Sequence, residues 1–228
     1  MNFPFDTDSL WSSVSNREAK EEIAKNLISL AEPGQVIGFG SGTTSMVCAL
    51  EFGKAVAQGL SVSAVVTSHE LEWLCNKLNI KVLGIDDTTI DWCFDGADEV
   101  DPYGNLLKGR GGAMHRERQV FAAANKRYVV ADSSKDVKIL GEKFPAPIEI
   151  KPGKAISAID SFNDLGFDSV TIRTGQGKDG PIITESGNII VDIVHRSGFT
   201  SNIAQEIVGI DGVFDTGLFM GFDFERIS

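Results

Sequence analysis

At 228 residues, with 42% hydrophobic and 23% charged side chains, the chain has the size and composition of a soluble globular protein of one large or two modest domains. Its formal net charge of −11 argues against generic binding to nucleic acid or anionic membranes, so an anionic ligand must be drawn by a local group of cations. No apolar run approaches the ~20 residues of a membrane span, residues 1–15 are acidic and polar rather than signal-like, and Cys48, Cys75 and Cys93 are scattered in apolar contexts with no CxxC pair, so a cytoplasmic protein with buried free thiols is expected.

The first helical pattern covers residues 17–32, with Ala19, Ile23, Leu27 and Leu30 on one face, Lys20 beside it, and Pro33-Gly34 as the stop. Residues 35–39 read as a strand. Gly40-Ser-Gly-Thr-Thr44 follows, and then a helical pattern carried by Met46, Val47, Ala49, Leu50 and Phe52. A strand, a Gly/Ser/Thr loop and a helix start form an anion cradle. Backbone N–H groups and hydroxyls of Ser41, Gly42, Thr43 and Thr44 would face the ligand, and the helix dipole favours negative charge. A tight βα connection with an ordinary N-cap would look the same in isolation. The loop is not a dinucleotide fingerprint, since Thr43 takes the place of the third glycine and the next strand ends in Thr67-Ser68 rather than an acid. Nor is it a Walker A loop, because no Gly-Lys-Ser/Thr follows. A small phosphate monoester fits it better than a nucleotide.

Further strands are expected near residues 61–67, 80–85, 90–95 and 127–132, alternating with helices near 44–58, 69–78 and 113–125. This is the pattern of an α/β, Rossmann-like, mostly parallel sheet with helices on both faces. Ligands of such sheets sit beyond the carboxyl ends of the strands. Ser41, Asp95 and Asp132 all follow strands at that edge, with Lys135 just beyond. Chemistry is concentrated in Asp95-Gly-Ala-Asp98-Glu99, Lys108-Gly-Arg-Gly-Gly112 and Glu117. Asp101-Pro-Tyr-Gly104 is a β-turn signal, and counting outward from it places Lys108 opposite Ala97, one residue from Asp98. Gly109, Gly111 and Gly112 allow close backbone approach where a helix begins. Two aspartates, an ammonium and a third carboxylate are the groups needed to move a proton on a small anionic sugar: hydroxyl-proton handlers, a cation for the developing oxyanion, and a base. Taken singly, Asp95 and Asp98 read as turn residues, Lys108 and Lys135 as surface charges, and Glu117 as a helix-dipole partner. Their convergence points to a site.

After Phe144-Pro-Ala-Pro147 the order becomes strand (148–150), helix (about 154–164), strand (169–173), Gly-rich loop (175–180), strand (182–192), helix (about 201–209) and strand (213–219). This is the split βαβ, ferredoxin-like α+β pattern. The expected division is a Rossmann-like domain over residues 1–143, rejoined by 220–228, and a smaller ferredoxin-like domain over 144–219. His115 and Glu117 lack the P-C-x-x-C partner of a zinc deaminase, His69 and His195 have no partner at ligand spacing, and no G-x-S-x-G elbow occurs. No metal site is expected. Trp11, Trp73 and Trp92 are read as packing residues.

Gly38-Phe-Gly-Ser-Gly-Thr-Thr44, Asp95-Gly-Ala-Asp-Glu99, Lys108-Gly-Arg-Gly-Gly-Ala113, Arg116-Glu117 and Ala131-Asp-Ser-Ser-Lys135 stand in the order and spacing of type A ribose-5-phosphate isomerases. The chain resembles that family from about Lys20 to Phe219. The resemblance implies an aldose-ketose isomerase that interconverts D-ribose 5-phosphate and D-ribulose 5-phosphate in the non-oxidative branch of the pentose phosphate pathway. It also implies a cytoplasmic homodimer or larger homo-oligomer with a small sugar phosphate as partner and no metal or organic cofactor. Glu117 matches the proton acceptor. Ser41, Gly42, Thr43, Thr44, Asp95, Gly96, Ala97, Asp98, Lys108, Gly109, Arg110, Gly111 and Lys135 match substrate-contacting segments, and Lys20 matches a lysine near the phosphate. Lys108 is then expected to stabilise the enediolate, with Asp95 and Asp98 sharing ring opening and hydroxyl proton handling, their individual roles left open. Arg110 stands where many members have Gly, His115 where many have Thr, and the chain after Phe219 lacks the usual tail signature. Two other readings share these features: a related sugar-phosphate enzyme such as an amino-sugar-phosphate deaminase, and a non-catalytic sugar-phosphate sensor.

Overall fold

The computed structural model describes residues 17–228; Trp11 and the polar stretch before it lie outside the described residues. The chain runs α1 (Arg17–Ser29), β1 (Val36–Phe39), α2 (Gly42–Ala57), β2 (Ser63–Val66), α3 (His69–Lys77), β3 (Lys81–Val82), β4 (Ile90–Gly96), β5 (Glu99–Val100), β6 (Leu106–Leu107), α4 (Met114–Ala123) and β7 (Ala124–Val130). Then follow β8 (Ala146–Ile150), α5 (Ala155–Asp164), β9 (Ser169–Ile172), β10 (Ile189–Val194), α6 (Ser201–Val208), β11 (Val213–Thr216), β12 (Leu218–Phe219) and β13 (Glu225–Ile227).

Six strands form one parallel sheet in the order β13-β7-β4-β1-β2-β3. The order reverses between β1 and β4, and the crevice at such a reversal is where these sheets bind ligands. Strand residues alternate between two cores. Phe39, Trp92 and Phe94 pack with Ala24 and Leu27 of α1, Phe52 of α2 and Leu71 of α3. On the opposite face Cys93 packs with Met114, Val120 and Phe121 of α4. A Cβ on Gly38 would lie 2.5 Å from Val120 Cγ1 and 2.6 Å from Cys93 Cβ, so α4 lies directly on β1 at a position only glycine can fill.

The second half forms an antiparallel sheet in the order β11-β8-β10-β9, the ferredoxin-like arrangement, with α5 and α6 contributing Ala158, Phe162, Ala204 and Ile207 to its core. A small sheet, β12-β6-β5, joins the two. Within β6 the neighbours Leu106 and Leu107 pack into different cores.

Several sequence expectations are corrected. On α1 the buried positions are Ala24 and Leu27, with Ile23 and Ile28 packed beside them, while Ala19 and Leu30 are exposed. Strand pairing near residue 80 is confined to Lys81 and Val82, and a 3₁₀ turn takes over at Ile85–Asp87. The expected strand over 182–192 pairs continuously only from Ile189, because Thr184 to Asn188 close a turn with Gly187 at φ +77°. The last expected strand breaks at Gly217, which leaves β11 in one sheet and β12 in another. Trp92 is buried but Trp73 is 44% exposed. The three cysteines are free and buried, and burial pushes each thiol up to about 12.

The β5–β6 register is also shifted from the count. Asp101 pairs with Asn105 rather than Gly104, and Oδ1 of Asp101 accepts N–H bonds from Tyr103 and Asn105 (2.9 and 2.8 Å). Three residues therefore span the loop, Glu99 pairs with Leu107, and the Asp98 N–H donates to the Leu107 carbonyl at 2.8 Å. Lys108 thus stands across from Asp98.

Glu99 is fully buried and accepts from the N–H groups of Gly141 (2.6 Å), Lys143 (2.6 Å) and Phe144 (2.8 Å), strapping the segment that leads into β8 onto β5. Glu99→Ala would strand three donors, and bonds to a charged acceptor are the strong ones. Urea unfolding should show a loss of roughly 3–5 kcal/mol. A loss under about 1 kcal/mol would mean that water takes over the carboxylate's bonds.

Candidate active site

Strand ends and one helix start deliver the functional side chains. The turn after β1 crosses so near β4 that a Cβ on Gly40 would lie 2.0 Å from Asp95 Cγ; the Gly40 N–H donates to the Phe94 carbonyl at 2.8 Å. Ser41, the N-cap of α2, turns its hydroxyl to Oε1 of Glu117. Asp95 is the penultimate residue of β4, and its Oδ1 accepts the Gly96 N–H (2.7 Å). Lys108 leaves β6 with its own N–H bonded to the Gly217 carbonyl (2.9 Å). Its ammonium donates to the Gly96 carbonyl and sits 2.9 Å from Asp95 Oδ2 and 3.3 Å from Glu117 Oε2. Glu117 lies in the first turn of α4, one turn before Val120, so the close approach permitted by Gly38 also brings this carboxylate to the ends of β1 and β4.

The side chains of Lys108, Asp95 and Glu117 are only 3, 6 and 4% exposed. One cation between two carboxylates leaves the cluster with one excess negative charge. Burial pushes the Asp95 carboxyl up to about 7, the Glu117 charge adds to the push, and Lys108 only partly opposes it. Burial alone would pull Lys108 down, but Asp95 and Glu117 outweigh it and hold the ammonium above its ordinary value. The lysine therefore stays charged, and it is an acid of the cluster that gains a proton near neutrality. Oε2 of Glu117 is buried without a hydrogen-bond partner; Lys108 attracts it across 3.3 Å but is not aligned to bond it. A buried carboxylate oxygen in that state is available to an incoming proton.

Asp98 forms no ion pair among the described residues. Its Oδ2 accepts the Arg110 N–H (3.2 Å), and its charge adds to the field on Lys108. Lys20, on α1, donates to Thr43 Oγ1 (3.0 Å). Partial burial lowers the Lys20 pKa, and the positive charges of Lys135 and Arg110 lower it further, so three cations gather on this side of the site. Asp132 Oδ1 accepts the Ser134 N–H (2.7 Å) and shapes the turn that presents Lys135.

Every residue expected at the site, from Lys20 and the 41–44 loop to Glu117 and Lys135, lines one cavity of about 610 Å³. Ala19, Ile23, Asp132 and Ser134 line it as well. Asp132 and Ser134 lie inside a motif visible in the sequence, whereas nothing local marks Ala19, whose exposure on α1 follows from how the helix is rotated. Among the described residues no group of three or more His, Cys, Asp or Glu is placed to hold a metal ion, and no helix is long and apolar enough to cross a membrane.

The fold and this cluster define a class: an α/β enzyme site for acid–base chemistry on a small anionic molecule. The profile of the family described as ribose 5-phosphate isomerase A (phosphoriboisomerase A) matches residues 63–227. Ribose-5-phosphate isomerase A of Methanocaldococcus jannaschii is 37% identical over 212 residues, 92% of this chain and 93% of that one, and that of Haloarcula marismortui is 35% identical over 89% and 88%. The solved structure of the M. jannaschii protein superposes with a TM-score of 0.86 at 36% identity, covering 92% of this chain and 93% of that one. A D-ribose-5-phosphate isomerase solved in complex with phospho-erythronic acid superposes at 0.85 with 32% identity, covering 93% of each chain. The chain belongs to the ribose 5-phosphate isomerase A family.

The Asp95 proton has a consequence for stability. The folded protein keeps it to a higher pH than the unfolded chain does, so this contribution is complete below about pH 4 and is lost as pH rises to about 7. Urea unfolding of the parent should therefore lose roughly 2–3 kcal/mol more than Asp95→Asn between pH 5 and pH 8. Equal losses in the two proteins would show that Asp95 is ionised throughout.

Proposed function

We propose that this protein interconverts D-ribose 5-phosphate and D-ribulose 5-phosphate through an enediolate, as a step of the non-oxidative pentose phosphate pathway. The observation that carries the reading is the Lys108 ammonium buried between Asp95 and Glu117 in a cavity that three further cations approach. The C2 proton beside an aldehyde is weakly acidic, so a base alone is insufficient and the oxyanion must be stabilised as it forms. We assign Glu117, with its unbonded Oε2, as the base that takes the proton from C2 and returns it to C1. Lys108 has three N–H groups. Two go to Asp95 and the Gly96 carbonyl, and the third serves the enediolate oxygen. Asp95, in contact with Lys108 and titrating near neutrality, suits the movement of hydroxyl protons between O2 and O1. Asp98, held by the Arg110 N–H at the cavity wall, suits ring opening. The 41–44 loop with Lys20, Arg110 and Lys135 takes the phosphate, and this remote binding energy orients the reacting carbons.

In this reading the electrophile is a protein group, with no metal or organic cofactor. The enzyme is a cytoplasmic homodimer or larger homo-oligomer, and the parallel and antiparallel sheets are two domains meeting near residue 144.

Formation of ribulose 5-phosphate from ribose 5-phosphate by the purified protein is the direct test. Glu117→Gln keeps the shape but cannot take the proton, and turnover should fall ~10²–10⁴-fold with phospho-erythronic acid binding largely kept. Turnover within a few-fold of the parent would remove Glu117 from the role of base. For Lys108→Met, steady-state kinetics should show kcat depressed far more than KM is raised, because the charge matters most as the oxyanion develops. A large rise in KM at unchanged kcat would move Lys108 to the phosphate end of the sugar.

A further inference from the structure

We propose that Arg173, on the antiparallel sheet, is a positioning residue for the substrate-facing peptides that follow Lys108; this rests on the isomerase reading above. Arg173 directly follows β9, with its own N–H bonded to the Ile190 carbonyl (2.8 Å). Its guanidinium is a two-sided fork. On one side Nε and Nη2 donate to the two oxygens of Asp192 on β10, at 2.8 and 2.5 Å. On the other side Nη1 donates to the carbonyls of Gly109 (3.0 Å) and Arg110 (2.9 Å). Both charged side chains are largely covered, at 16 and 20% exposure, so the fork is held more firmly than a surface ion pair.

Peptide planarity turns this anchor into an aim. With no cis bond among the described residues, each peptide's N–H points away from its carbonyl. The Gly109 carbonyl faces Arg173, so the Arg110 N–H faces the other way, and there it meets Asp98 Oδ2 at 3.2 Å. The Arg110 carbonyl also faces Arg173, so the Gly111 N–H is turned away from Arg173, and Gly111 lines the cavity. The Gly112 N–H donates to the Gly109 carbonyl as well (3.0 Å), and the Arg110 carbonyl has Arg173 as its hydrogen-bond donor. Gly109 sits at φ +91°, and neither Gly109 nor Gly111 has a side chain to pack. Arg173 is neutralised by Asp192, so its effect on the site comes from oriented dipoles rather than added charge. A lysine could not replace it, because a point donor cannot span a carboxylate and two carbonyls at once.

The experiment measures KM and kcat for ribose 5-phosphate, the Kd for phospho-erythronic acid, and thermal unfolding for the parent, Arg173→Met, Arg173→Lys and Asp192→Asn. Peptides that hold substrate in ground and transition state alike contribute uniform binding. KM and Kd should therefore rise on the order of 10- to 100-fold in Arg173→Met, with kcat changed less than about threefold. Arg173→Lys should recover less than half of the loss on a logarithmic scale, and Asp192→Asn should shift KM the same way. A purely structural role would lower the unfolding temperature and leave KM and Kd unchanged in the folded fraction. KM and Kd within twofold of the parent in a folded Arg173→Met overturn the proposal. If that variant does not fold, the same outcome in Asp192→Asn, which keeps the guanidinium but weakens its seat, overturns it. A parent that does not convert ribose 5-phosphate would instead sink the isomerase reading.

Discussion

One buried ammonium organises this molecule. An isolated charge in the interior costs several kcal/mol, and Lys108 is tolerable only because Asp95, Glu117 and the Gly96 carbonyl surround it. Those partners come from β4 and α4, and Lys108 itself leaves β6, so the cluster can form only when all three elements converge. Two glycines make that convergence possible: Gly38 lets α4 rest on the sheet, and Gly40 lets the β1–α2 turn pass beside Asp95. Burial, reinforced by the Glu117 charge, lifts the Asp95 pKa. Packing, electrostatics and reactivity thus have one origin.

The antiparallel sheet belongs to this arrangement as fully as the parallel one does. Gly217 is the crossing point: its carbonyl accepts from Lys108 N–H, and its own N–H donates to the Pro147 carbonyl at 2.7 Å. A Cβ there would lie 2.2 Å from the Lys108 carbonyl oxygen. Backbone bonds of this kind set the direction in which Lys108 leaves β6, which a side-chain ion pair alone would not fix. The relatives of known structure match this chain across both sheets, as expected if neither sheet builds the site without the other.

Much of the site was legible in the sequence because its parts follow strand ends. Short apolar runs alternating with helical patterns located β1, β4 and β7, and residues at or beyond their carboxyl ends, Ser41, Asp95 and Lys135, fall at one edge of the sheet for topological reasons. What escaped the sequence depends on contacts between distant segments. Arg173 looks like any charged residue near a strand end; its partners Gly109 and Arg110 lie more than sixty residues earlier. Glu99 stands in a motif full of reactive acids, yet it is spent on the backbone of residues 141–144. The turn at 184–188 was hidden because Ile182 and Ile183 extend the apolar run of β10 backward, while the Glu-Ser-Gly-Asn turn residues lie inside it. Local chemistry there outweighed hydrophobic pattern.

The Asp101 loop carries a constraint of a different sort. Tyr103 is 88% exposed, and a surface tip of this kind ordinarily accepts insertions and deletions. Here the chain must return through only two residues, Leu106 and Leu107, before it places Lys108. Side chains along a strand alternate between faces, so a loop longer or shorter by one residue would exchange the destinations of Leu106 and Leu107 and turn Lys108 away from Asp95. The identity of the residue at the tip is free to drift, while the number of residues is not. Evolution can repaint this turn but cannot change its count by one without dismantling the charge cluster below it.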